Sequence, residues 1–404
     1  MNEPTPQARA EDVARAAYGK LVAMLASRSG DIMAAEDALS DAFVAALKTW
    51  PERGIPEKPE AWLLTVAKNR RIDQARKDAR LVITDEVPEM VEAPSFEQDN
   101  ALDERLALMF VCAHPAIDAA IRTPLMLQTV LGLEAEDIAR AFLVSPSAMA
   151  QRLVRAKKKI KSAGIPFVVP EPEAQPERMA AVLEAVYGAY SVDWLEGSGD
   201  LSHEAFFLST ILADQAPKSA EALGLTALIG FIEARRDARV REGVLVPVPE
   251  QDVELWDDDL TSRSAALLTR ASQLGQIGRY QLEAAIQSVH AARSVTGSTD
   301  WRALSQLYDG LLRLHPTIGA AVSRAAVVAE DIGPAEGLKL LERINAPDIE
   351  TFQAAHAVKA HCLVRLGRVA DAAEAYARAI SLCTDLPSRR WLEENLAALR
   401  KKMS

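Results

Sequence analysis

Cysteine is scarce in this 404-residue chain. There are three, Cys112, Cys362 and Cys383, far apart and never in a CxxC spacing. That excludes a disulfide scaffold and the usual zinc and redox motifs, and leaves buried reduced thiols as the expectation. Aromatic residues make up only 5% of the chain, and with Ala and Leu plentiful this favours helix over sheet. There is no run of about 18 apolar residues that could span a bilayer and no N-terminal apolar segment of signal-peptide type, so a cytoplasmic protein with no membrane partner is expected. Glycine-rich phosphate loops, HExxH and GxSxG are also missing. His203-Glu204 is an isolated pair, His356 and His361 are five apart, and Gly197-Ser198-Gly199 reads as a loop. No catalysis, cofactor or metal is expected.

What is present is an uneven distribution of charge. The net charge is −11, which taken alone argues against a general nucleic-acid binder. Residues 1–165 hold 22 Lys and Arg against 24 Asp and Glu, whereas the remainder holds 24 against 33. Most of the acidity therefore lies in the C-terminal part. Two short stretches run the other way. Arg152 to Lys161 carries six bases and no acid, and Lys68 to Arg80 carries six bases against two acids. An acidic chain that gathers Lys and Arg on single helices is a candidate to touch a polyanion.

Hydrophobic periodicity predicts helices at 8–27, from Asp31 to Trp50-Pro51, and at 60–80. In the second, Ala35, Leu39, Ala42, Phe43, Ala46 and Leu47 share one face and Asp31 is the cap. Residues 81–104 hold eight acids and no base, with Pro88 and Pro94 among them, and read as an extended linker up to about 101. Helical pattern resumes at Leu102 and continues to Ala163. The stretch 167–177, rich in Pro and Glu, marks a second linker. From Arg178 onward the chain reads as a long series of helices, the last of them paired. In 356–380, Gly367 lies at a turn, Ala372 at a crossing, and Tyr376 and Ala379 on the following face, the layout of a tetratricopeptide-like hairpin. Residues 242–259 are acidic and not repeat-like. The expected class is all-α throughout.

Residues 133–161 read as helix, turn, helix. Ile138, Ala139 and Phe142 are expected inside, Ser145 caps the second helix, and Pro146 takes its first position. Met149, Leu153 and Ala156 continue the buried face. Ser147, Ala148, Gln151, Arg152, Arg155 and Lys158 remain outside. Short polar residues followed by Arg and Lys suit a helix whose start meets base edges and whose later turns meet phosphate. The plainer account is a solvated basic helix end complementing the dipole. In the other cluster, Trp62 precedes Lys68, Asn69, Arg70, Arg71 and Arg76. An aromatic and an amide beside bases suit unstacked single strands, although Trp62 could equally belong to the core.

Two basic helices joined by an acidic linker bring in a family. AEDALSDAFVAAL (Ala35–Leu47), PEAWLLTVAKNRRIDQAR (Pro59–Arg76) and the helix-turn-helix resemble the extracytoplasmic-function group of sigma-70-type RNA polymerase sigma factors. DERLALMFVCAHPAI (Asp103–Ile117), RYQLEAAIQSVHA (Arg279–Ala291) and TDWRALSQLYDGLLRLHP (Thr299–Pro316) resemble the subgroup with a long tetratricopeptide-like C-terminal extension. The resemblance implies a sigma-two domain at 1–80, a linker at 81–101, a sigma-four domain at 102–166, a linker at 167–177, and a helical regulatory domain at 178–404. It implies core RNA polymerase and promoter DNA, duplex and melted, as partners, with a protein or ligand regulator at the extension. Asp37, Ser40 and Asp41 would dock on the polymerase, the loop 51–59 would capture a flipped base, and the 62–76 set would contact the minus-ten strand. The 147–158 set would read the minus-thirty-five element.

The chain also departs from the family. Ala148 stands where a base-contacting Thr is usual, and Ala150 where many members have Lys. Tyr187-Gly188-Ala189-Tyr190-Ser191 replaces an Asn-Glu-Gly-Tyr stretch, and Ser323 a common Asn. Two other readings stay open at this point: a conventional helix-turn-helix regulator with a helical sensor domain, and a peptide-binding scaffold. The first leaves 35–47 and 59–80 without a task.

Overall fold

The computed structural model describes residues 17–78, 98–142, 144–170, 176–196 and 200–403. They are helical almost throughout, with one two-stranded hairpin among them. The chain divides into two compact units. The first comprises Met1–Val192 with Asp200–Glu204, the second Asp193–Gly199 with Ala205–Ser404.

In the first unit, helix α1 (17–26) buries Ala17, Leu21, Val22 and Leu25. Helix α2, Ile32–Arg53, starts at Asp31, whose carboxylate accepts from the Ala34 N–H at 3.1 Å. It does not stop at Trp50-Pro51 as expected. Pro51 sits in the last turn, where its missing N–H leaves only the Leu47 carbonyl unpaired, and Leu47 is exposed rather than on the buried face. Gly54, at φ +83°, ends the helix instead, donating its N–H to Trp50.

Helix α3, Pro59–Asp78, opens with proline at a first-turn position, where no N–H is missed. Helix α4, Gln98–Cys112, begins four residues before the expected Leu102; linker residues 81–97 lie outside the described ones. Helices α5 (Ala119–Thr129), α6 (Ala135–Ala141), α7 (Pro146–Ser162) and α8 (Pro176–Glu196) follow. Helix α2 packs on α3 and α7, and α5 packs on α4, α6 and α7. Leu39, Trp50, Leu63, Leu106, Leu108 and Phe110 are among the fully buried side chains.

Two close approaches fix this unit. Gly19 of α1 lies so near the end of α5 that a Cβ would stand 1.7 Å from the Val130 carbonyl oxygen. Arg178, at the start of α8, is buried and donates through Nε to the Phe110 carbonyl at 3.0 Å, its guanidinium 5.9 Å from the Phe110 ring. The segment after the Pro/Glu stretch is thus part of the first unit's core.

After α9 (Asp200–Gln215), the second unit is built around α10, Ala220–Glu233, which is buried on all sides over Ala222–Phe231. Helices α11 (Asp258–Gln273) and α12 (Arg279–Ala291) pack on it. Gly224 permits the α12 contact, since a Cβ there would lie 2.7 Å from the Gln281 N. The α12 N-terminus has no side-chain cap of its own. The Glu221 carboxylate, from α10, accepts the N–H groups of Tyr280 and Gln281 at 3.2 and 3.1 Å. After the one-turn α13 (Arg293–Thr296), helices α14 (Trp301–Leu314), α15 (Ile318–Asp331), α16 (Pro334–Glu342), α17 (Gln353–Arg365), α18 (Val369–Leu382) and α19 (Leu386–Met403) each pack on the next. Ala372, Tyr376 and Ala379 of α18 are buried with Ala360 and Leu363 of α17.

Residues 240–259 hold what the sequence pattern did not predict. Val240–Arg241 (β1) pairs antiparallel with Val244–Leu245 (β2) across Glu242-Gly243, both at positive φ, and two short 3-10 turns follow. Helix α19 returns to this hairpin, where Arg390 donates to the Gly243 carbonyl at 3.4 Å.

Candidate nucleic-acid interface

Ser145 caps α7, its hydroxyl accepting from the Ala148 N–H at 3.4 Å, and Pro146 follows at the first position. Met149, Leu153 and Ala156 are buried. Ser147, Gln151, Arg152, Arg155 and Lys158 are exposed, and Ala148 is half-buried. Ile138 and Ala139 of α6 are buried, but Phe142 is 40% exposed: it lies past the end of α6, off the face those two share.

Not all of the basic cluster is open to solvent. Lys157 is buried, its ammonium 2.6 Å from both Glu36 carboxylate oxygens on α2. Lys161 reaches Asp31 at 2.6 Å. The run without a local acid therefore meets acids more than a hundred residues away in sequence. Glu36 also receives the Tyr18 hydroxyl, so it joins α1, α2 and α7. Burial raises the Glu36 carboxyl above its ordinary range against the pull of Lys157. Burial acts the same way on Asp31, but hydrogen bonds from Lys161 and the Ala34 N–H outweigh it and hold that carboxyl low.

On α3, Trp62 is half-buried and meets Trp50 edge to face, with centroids 5.6 Å apart. One side of its ring thus serves the core. Lys68 and Asn69 are half-buried and Arg70 is exposed; the side chains of Arg71 and Arg76 lie outside the described ones. Lys68 faces Arg28 and Glu104. Burial and then Arg28 lower its ammonium, while Glu104 opposes them. Glu104, on α4, is raised by burial against Ser27, Arg28 and Lys68. On α2, Asp37, Ser40 and Asp41 are exposed beside Val44 and Leu47, at 50% and 46%. This acidic and apolar stripe lies outside the core that Ala38, Leu39 and Ala42 enter.

Sequence reasoning missed Glu36, Asp31 and Glu104 as the acids facing the basic helices, and Tyr18 as a partner of Glu36. No local pattern could have found them, because each acid lies tens of residues or more from its base.

Residues 13–81 match the family Sigma-70 region 2, which takes in α2 and the basic helix α3. That match supports a sigma-70 family factor. Residues 178–272 match a second family, described as of unknown function (DUF6596). The chain is 35% identical over 379 residues to the uncharacterized protein R00370 of Rhizobium meliloti (strain 1021), covering 90% of this chain and 89% of that protein, and the two belong to one family. No solved structure matches. The region 2 match supports a sigma factor's role, with core RNA polymerase and promoter DNA as the partners that role implies. Among the described residues, no helix is long and apolar enough to cross a membrane.

Proposed function

We propose that this sigma factor belongs to the extracytoplasmic-function group and contacts the promoter with two separate helices. In this reading α7 enters the duplex of the upstream element. Ser147, Ala148 and Gln151 lie at base edges, and Arg152, Arg155 and Lys158 at phosphates. Helix α3 holds the melted minus-ten strand through Lys68, Asn69, Arg70, Arg71 and Arg76. The free side of Trp62 lies beside bases whose unstacking costs a few kcal/mol. Asp37, Ser40 and Asp41 on α2 dock on the polymerase. The observation that carries this reading is an outward row of Gln151, Arg152, Arg155 and Lys158 on a capped helix, in a chain that also has sigma-70 region 2. The helices of 178–404 form a tetratricopeptide-like extension that regulates initiation by engaging a protein or ligand. The protein acts in the cytoplasm, with no cofactor and no catalysis of its own.

The test is run-off transcription with core RNA polymerase on promoter fragments selected by the protein itself. The full chain should co-purify with core enzyme and give a defined start site, and Asp41→Lys should weaken co-purification while leaving duplex binding intact. Tight duplex binding with no affinity for core enzyme would instead support the helix-turn-helix regulator.

A further inference from the structure

The segment 240–259, which interrupts the succession of helices in the second unit, gathers polar side chains that its own fold leaves unsatisfied. Arg235 lies just past α10, Gln251 between the two 3-10 turns and Trp256 after the second of them. His290 is in the last turn of α12, and Arg293 opens α13. Arg235, Gln251 and Trp256 are each 6% exposed. The Arg235 and Arg293 guanidiniums lie 5.7 and 5.0 Å from the centroid of the Trp256 ring. Arg293 also donates to the main-chain carbonyls of Val248 and Gln251, which ties α13 to the turns. The charges that act on His290 are these same two guanidiniums, and both resist its protonation.

Four buried side-chain atoms here make no hydrogen bond within the described residues: Trp256 Nε1, Arg293 Nε, His290 Nδ1 and Gln251 Oε1. Buried polar atoms are nearly always paired, so four orphans around one indole mark a place that something else completes. The indole and guanidinium N–H groups only donate, and the imidazole donates or accepts according to its tautomer. Gln251 Nε2 is occupied by the Val246 carbonyl at 3.1 Å, so the Oε1 is left as an acceptor in need of a donor. The missing partner therefore brings acceptor oxygens to a positive place, and one O–H to the amide. Outside, the segment has the opposite sign: Glu250, Asp252, Glu254, Asp257, Asp258 and Asp259 are all exposed. Such a rim repels a polyanion, nucleic acid included, far more than a small anion.

We propose that Arg235, Gln251, Trp256, His290 and Arg293 form a binding site for a small oxyanion that also carries a hydroxyl, as a hydroxycarboxylate or a hydrogen phosphate does. The oxyanion accepts from Trp256 and Arg293 in charge-assisted hydrogen bonds, and its O–H donates to Gln251. This gives the regulatory ligand of the extension its chemistry; that regulatory role rests on the function proposed above, whereas the binding itself does not.

The experiment uses the full chain, isotopically labelled, and follows the side-chain N–H resonances of Trp256 and Arg293 by nuclear magnetic resonance. Their loss in Trp256→Phe and Arg293→Lys assigns them. Glycolate and phosphate should each move both resonances to saturation. Acetate and sulfate lack the O–H at neutral pH and should bind about tenfold more weakly. The tighter of glycolate and phosphate identifies the source. Trp256→Phe keeps an aromatic ring beside the guanidiniums and removes an orphaned donor, so it should melt no lower than the wild type. It should nevertheless weaken the better probe about tenfold, read from Arg293. Arg293→Lys keeps the charge without the planar fork and should weaken it too, read from Trp256. Resonances that stay fixed in all four anions at roughly 100 mM, enough to saturate a millimolar site, would overturn the proposal. So would an equal response to chloride, or wild-type affinity in Trp256→Phe. Equal affinities for acetate and sulfate would overturn the requirement for the hydroxyl. Run-off transcription with the better probe tests the regulatory role separately. Binding without any change in transcription removes that role and leaves the site. A chain with no affinity for core enzyme removes the promoter reading, while the resonances still decide the site.

Discussion

Burial pushes the His290 imidazole down to about 4, and the neighbouring Arg235 and Arg293 push the same way. Both guanidiniums stack on the buried Trp256, at 5.7 and 5.0 Å, and His290 meets Trp301 edge to face. A histidine whose folded pKa is lowered stabilises the fold above its ordinary value near 6.5, and that contribution is lost as the pH falls toward 4. Between pH 7 and 4, the wild type should therefore lose up to about 3 kcal/mol more than His290→Gln. Calorimetric melts of both proteins across that range would show it, and equal losses would contradict it. Gly19 is the second sensitive residue. Gly19→Ala drives a Cβ into the Val130 carbonyl, where backbone must move on both sides. A loss of roughly 1–3 kcal/mol or more is expected, read as a lower melting midpoint. The thiols are the opposite case. Burial raises Cys112 to about 12 and Cys362 to about 11, in keeping with the reduced, buried cysteines expected from their spacing. No spacing rule could have named His290 or Gly19, since each owes its importance to what another helix places against it.

Helix α7 shows how neighbouring residues of one element take different tasks. Its cap, proline and buried face were legible locally, because capping and 3.6-residue periodicity are properties of adjacent residues. Which of its bases are free was not. Arg152→Ala and Arg155→Ala should each weaken duplex binding and reduce the salt slope by about one, with little change in melting. Lys157→Ala should instead lower the stability of the first unit by up to about 3 kcal/mol, because it strands the half-buried Glu36 carboxylate. Titrations at several salt concentrations and thermal melts of the three variants separate these outcomes. The hairpin at 240–245 shows the reverse limit. Its strands are two residues each, too short for a period-2 pattern, and Glu-Gly is not among the strong turn dipeptides, yet both turn residues adopt the left-handed conformation a two-residue hairpin needs. It is stabilised by α19, which packs on it from the other end of the unit.

At the scale of the molecule, the compact units do not follow the composition of the chain. Three prolines and three glutamates in 169–177 mark a boundary by every local rule, yet α8 as far as Val192 belongs with the first unit, which buried Arg178 joins to Phe110. A chain ending at Pro170 should therefore melt lower and bind apolar dyes, whereas one ending at Glu196, which keeps α8, should not. Dye binding and circular dichroism on the two truncations test this, and any transcription assay of the extension belongs on the longer one. The sequence by itself determined the all-α class, the run of helices, their caps, and the two clusters of positive charge, because each follows from residues within a few turns of one another. Which lysines are covered, which glutamates cover them, and where one unit ends were decided only by the tertiary structure. Those outcomes depend on charges and surfaces brought together from more than 120 residues apart, where burial and the loss of water give a single carboxylate its choice of partner.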